Sequence, residues 1–109
     1  MIKLVPDPTF EHLVKLTVPG QPGTVDLQMT FRHMSTARMA EWFVENENRP
    51  SAVALAEIIE GWSGVMGEDG QYAPYSPQAL ETLLKNYHPA TSEIVRAWQI
   101  GLTESRAKN

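Results

Sequence analysis

A chain of 109 residues that is 42% hydrophobic and 20% charged has room for one modest core and is too apolar for wholesale disorder. Its formal net charge of −4 gives no general attraction to nucleic acid or to an anionic membrane. The absence of cysteine excludes disulfides, thiolate metal sites and cysteine nucleophiles. No apolar run approaches the roughly 20 residues that span a bilayer. The first residues lack the charged leader and apolar stretch of a secretory signal. The expectation is one domain over residues 1–109, working in the cytoplasm.

The first third reads as β structure. After the stiff Val5-Pro6-Asp7-Pro8 lead-in, Phe10, His12, Val14, Leu16 and Val18 share one strand face, and Glu11, Leu13, Lys15 and Thr17 share the other. Pro19-Gly20-Gln21-Pro22-Gly23 is suited to reversing the chain. Val25, Leu27, Met29, Phe31 and His33 then alternate with Thr24, Asp26, Gln28, Thr30 and Arg32. Period 2 over ten residues predicts a half-buried antiparallel strand, so a hairpin spans about residues 10–33. A lone hairpin is marginal in water. Helices, or self-association with a second copy, must cover its apolar face.

From about residue 36 to 104 the spacing turns helical. Ser35 or Thr36 can cap a first helix with Met39, Trp42 and Phe43 on one side, stopped by Asn46, Asn48 and Pro50. Ser51 can cap a second, in which Leu55, Ile58, Ile59 and Trp62 fall at i, i+3, i+4 and i+7. Residues 63–75 carry glycines, a proline and acids, and read as a loop. Ser76-Pro77 is a specific helix start, and Leu80, Leu83, Leu84 and Tyr87 form the next apolar stripe. A last helix runs from about Ala90 to Thr103 and buries Ile94, Trp98 and Leu102. The fold class is therefore α+β: an antiparallel hairpin followed by about four short helices.

The chain offers little chemistry. His12, His33 and His88 lack any metal-binding spacing, although His12 and His33 share apolar strand faces and could meet across the hairpin. Glu68-Asp69-Gly70 lacks the alternating acids of a calcium loop, and Ser63 lacks a nucleophile elbow. The glycines between Gly61 and Gly70 match neither phosphate-binding nor dinucleotide fingerprints. We therefore expect no catalytic residue, cofactor or metal, and no enzymatic activity. Trp42, Trp62 and Trp98 fall on apolar stripes and read as core. No stripe claims Tyr72 and Tyr75, which read either as partner contacts in a flexible loop or as rings folded back onto the domain. Arg106 and Lys108 read either as a grip on an acidic partner or as solvated terminal charges.

Several short landmarks carry a family resemblance. Lys3-Leu4-Val5-Pro6-Asp7-Pro8-Thr9-Phe10, Phe31-Arg32-His33, Gly61-Trp62, the segment from Leu83 to Pro89 and the terminal Ala107-Lys108-Asn109 occur in this order over nearly the whole chain. Together they resemble the tail assembly chaperones of long-tailed phages and prophages, of the minor tail protein G kind. The loop between Trp62 and Ser76 is longer than in that family's pattern. The resemblance implies a noncatalytic protein of the host cytoplasm that binds the tape measure protein and promotes assembly of the tail tube protein around it. It also implies absence from the mature virion. In several phages a frameshift near the gene's end adds a second domain, and Ala-Lys-Asn can be encoded to contain the slippery heptamer A AAA AAC. Acids from Glu41 to Asp69, set against Arg49 alone, would suit a basic client. The alternative is a structural tail or connector protein retained in the particle.

Overall fold

The computed structural model describes residues 1–47 and 52–104. Strands β1 (Thr9–Thr17) and β2 (Thr24–Arg32) form the expected hairpin, in a register that pairs Thr9 with Arg32 and Thr17 with Thr24. Gly20 and Gly23, both at positive φ, shape the reversal between them. Helices α1 (Thr36–Asn46) and α2 (Ala52–Ala56) follow, then strand β3 (Ile59–Ser63) and helices α3 (Pro77–Asn86) and α4 (Ala90–Thr103). The sheet has the order β1-β2-β3 and is antiparallel throughout. The class is α+β.

One expectation fails at the second helix. It stops at Ala56, and Ile59–Ser63 is a strand on the free edge of β2. Thr30 faces Gly61 while Phe31 faces Ile59, so Glu60 is an extra residue at a β-bulge. The bulge turns Ile59 and Trp62, which have opposite parity in a regular strand, to the same buried side. The i, i+3 spacing thus imitates a helix. Gly61, a poor helix former, and the backbone partners offered by β2 decide for the strand.

The apolar face of the hairpin lies beneath α4, so helices cover it within the chain. Val14, Met29, Phe31, Ile94 and Trp98 are all fully buried in one cluster. Trp98 donates its indole N–H to the Arg32 carbonyl at 3.0 Å, joining α4 to the end of β2. Trp42 meets Trp98 edge-on at 5.2 Å, bringing α1 onto the same cluster. A Cβ on Gly101 would stand 2.4 Å from the Phe10 ring and 3.2 Å from that of His12, so α4 approaches β1 this closely because residue 101 has no side chain. At the other end of the helix, the Glu93 carboxylate accepts from the backbone N–H of Thr17 at 3.1 Å and from its hydroxyl at 2.6 Å. The helix starts follow the sequence: Ser35 Oγ accepts from Arg38 N–H, and Ser76 Oγ from Ala79 N–H with Pro77 in the first turn. No helix among the described residues is long and apolar enough to cross a membrane.

Candidate client-binding groove

The segment after β3 is more ordered than its glycines suggest. Gly64, at φ +92°, turns the chain out of the sheet, and residues 65–73 fold back as a small hairpin. Ala73 N–H donates to the Val65 carbonyl, Gly67 N–H to that of Gln71, and Met66 and Tyr72 form a bridge. Asp69 closes the tip by accepting from Gln71 N–H at 3.0 Å. Two bonds tie this hairpin to β3: Trp62 Nε1–H to the Ala73 carbonyl at 2.9 Å, and the Tyr72 hydroxyl to the Trp62 carbonyl at 3.1 Å. Of the two readings of this loop, the one in which it folds back onto the domain fits these bonds.

The hairpin stands beside α3, and an open groove lies between them. One compartment, of about 410 Å³, is lined by Trp62, Val65, Met66, Ala73, Ala79, Leu83 and Tyr87 together with Gly67, Glu68, Thr82 and Asn86. A second, of about 210 Å³, continues it to the end of the sheet, with Leu16, Val18, Val25, Asp26, Leu27 and Gly64. Val65, Met66, Leu83 and Tyr87 wall both compartments, so the two form one trough. Its floor is buried core, at Trp62, Leu16 and Leu27, whereas Val25 and Met66 on the rim are 45% and 72% exposed. Asp26 and Glu68 are its charged lining residues. Asp26 also faces Lys15 across the strands, in an exposed ion pair of 3.4 Å.

Of the residues marked in the sequence, Tyr72 is 59% exposed and holds Trp62 through its hydroxyl. Tyr75 is half-buried and packs edge-on against Trp62 at 5.1 Å. Its hydroxyl is buried without a hydrogen-bond partner among the described residues, and burial raises its pKa above the ordinary tyrosine value, with Arg32 acting in the opposite direction. Neither ring lines the trough. Arg106 and Lys108 lie outside the described residues, as do Ser51, Asn48 and Pro50. His12 and His33 do not meet across the hairpin, because the register sets His12 opposite Met29, while His33 donates its backbone N–H to Pro8. Among the described residues, no three His, Cys, Asp or Glu side chains gather where they could hold a metal ion. Sequence reasoning passed over Val65 and Met66, whose signal is an apolar pair set between two glycines.

The trough combines an apolar lining with two carboxylates, those of Asp26 and Glu68. A family model of phage tail assembly chaperones matches residues 1–109, the whole chain. The protein belongs to the phage tail assembly chaperone family. No curated protein and no solved structure matches it.

Proposed function

We propose that this chaperone holds the tape measure protein through the trough between the 65–73 hairpin and α3. The observation that carries the reading is an apolar groove floored by the buried Trp62, Leu16 and Leu27, with Val25 and Met66 exposed on its rim. An amphipathic client helix would lay its apolar stripe on Leu83, Tyr87, Val65 and Met66, as helices do in hydrophobic grooves. Asp26 and Glu68 would favour clients with basic residues beside that stripe. Tyr72 braces the trough's outer wall through its hydroxyl bond to the Trp62 carbonyl. Client binding keeps the tape measure protein soluble in the host cytoplasm until tail tube subunits enclose it, and the chaperone then leaves. No step requires bond chemistry, so the role is noncatalytic.

The test is an affinity pull-down from cells assembling tails, paired with proteomics of purified virions. The expected result is recovery of the tape measure protein and tube subunits with this chain, and its absence from particles. Capture of tail-completion proteins alone, with this chain present in virions, would replace the reading with a structural role. We propose also that a minority of copies are extended by a −1 slip at Ala107-Lys108-Asn109. A gene reading GCG AAG AAC there removes that heptamer.

A further inference from the structure

The two edges of the sheet differ. At β3 the Tyr72 hydroxyl meets the Trp62 carbonyl, whereas β1 has no strand on its outer side. Along an antiparallel strand, residues that bond the neighbour alternate with residues whose backbone groups point away. The Pro8 carbonyl accepts from His33 N–H, and Thr17 N–H turns to Glu93 instead of β2. With the register of the hairpin, this aims the even-numbered residues of β1 at β2 and the odd-numbered ones outward. Among the described residues, no backbone group takes up the outward N–H of Glu11, Leu13 or Lys15. The Leu13 carbonyl accepts from His12 Nδ1 at 2.8 Å and keeps a second lone pair. Nor does α4 close this edge: an open hollow of about 330 Å³ lies between Leu13 and Lys15 of the strand and Arg96 and Ile100 of the helix. The nine residues of β1 also contain no proline and no bulge, two of the devices that blunt an edge.

The side chains beside these outward groups select the partner. Thr9, Glu11, Leu13, Lys15 and Thr17 share one face of β1, and their order is its own complement when reversed. A second β1 laid antiparallel about Leu13 sets Glu11 against Lys15 and Lys15 against Glu11, with Leu13 on Leu13 and Thr9 on Thr17. Leu13 is 41% exposed, so the central contact covers an apolar side chain that the single chain leaves in water. Lys15 is already paired with Asp26, but in an exposed pair of 3.4 Å that leaves its ammonium further donors. Other registers lose the match. A slide of two residues sets the charges against leucine or threonine, and a slide of four opposes Glu11 to Glu11 or Lys15 to Lys15, which repel. Val44 and Val53 are also exposed, but they lie on helices and bring no open backbone with them. We infer that a second copy of this chain pairs with β1 across a two-fold axis at Leu13, joining the two three-stranded sheets into one. The contact is isologous, so it closes at a dimer. It does not use the trough, and dimerisation and client capture can therefore fail separately.

Charge reversal tests this, with mass measured by light scattering across a concentration series. Wild-type chain is expected to dimerise. Glu11→Lys leaves two bases at the paired positions and Lys15→Glu leaves two acids, so each should weaken self-association by roughly tenfold or more. Both substitutions in one chain should restore the dimer, and mixing the two single variants should give a mixed dimer. Circular dichroism melts check that each variant is folded. Hydrogen exchange needs no variant: in wild type the amides of Glu11, Leu13 and Lys15 should slow as concentration rises, while Thr17, held by Glu93, serves as the reference. The chain has no cysteine, so Leu13→Cys introduces a single thiol. It should give a disulfide-linked dimer on mild oxidation, because facing residues of such a pair stand about 5.5 Å apart at Cα. Val44→Cys, at a position 71% exposed, should not. A monomeric wild type would overturn the inference, as would a dimer indifferent to both reversals or single variants that stay monomeric when mixed. A wild-type dimer whose Leu13 amide exchanges as freely as in the monomer would overturn it too.

Discussion

The two sides of the hairpin's apolar face are finished in opposite ways. Beneath β1, α4 is fastened at both ends, by Glu93 on Thr17 and by Trp98 on Arg32, and Gly101 removes the last gap against Phe10. Beyond Leu16 and Val25 the same face continues into a trough whose outer wall is a small hairpin braced by Trp62 and Tyr72. One side uses apolar area to hold the fold together. The other leaves it available, with order supplied by backbone bonds and caps in place of a covering helix.

That contrast can be broken deliberately. Trp98→Ala removes a fully buried ring and an indole bond to Arg32, and should cost about 3–5 kcal/mol. This is a large share of a small domain's stability, and denaturant melts should show global loss of structure. Gly101→Leu forces a side chain into the Phe10 contact and should cost about 1–3 kcal/mol, read as a lowered Tm. On the trough side the expected effects are smaller and local. Ser76→Ala removes the cap of α3, the trough's inner wall, and should cost about 1 kcal/mol. Hydrogen exchange should quicken in the first turn of α3 while α4 stays protected. Tyr75→Phe deletes a buried hydroxyl that has no partner among the described residues, and should leave stability at neutral pH unchanged or raise it by less than about 1 kcal/mol.

The same residue gives a pH test. Burial raises the Tyr75 pKa, so the folded state holds the phenolic proton more tightly than the unfolded chain does. The corresponding stability is fully present below the ordinary tyrosine value of about 10, and is lost as pH rises from there through the folded value. Thermal melts of wild type should therefore decline more steeply than those of Tyr75→Phe above about pH 10.

Much of the fold is legible in the residues. Strict alternation from Thr24 to His33 gives β2, and the Ser76-Pro77 start gives α3 with its stripe from Leu80 to Tyr87. The third strand is not legible, because the bulge at Glu60 gives Ile59 and Trp62 a helical spacing, and only pairing with β2 distinguishes the two. The trough is half legible. Leu16, Val18 and Val25 announce an apolar face, but nothing local shows that they line a groove shared with Val65, Met66, Leu83 and Tyr87. Val65 and Met66 sit in a glycine-rich stretch whose folding depends on bonds to Trp62 and Ala73. Tyr72 and Tyr75 lie off every stripe, and the structure gives each a contact with Trp62 that periodicity does not reveal.

The claim that the open trough is the client site meets its most direct test in co-expression of the tape measure protein with this chain, wild type or Met66→Asp. Met66 is 72% exposed, so the substitution should change stability by less than about 0.5 kcal/mol, checked by the Tm of the purified variant. The account predicts a soluble client with wild type, and a client left in the pellet with a variant that is itself folded and soluble. Equal solubilisation by the two chains would contradict it.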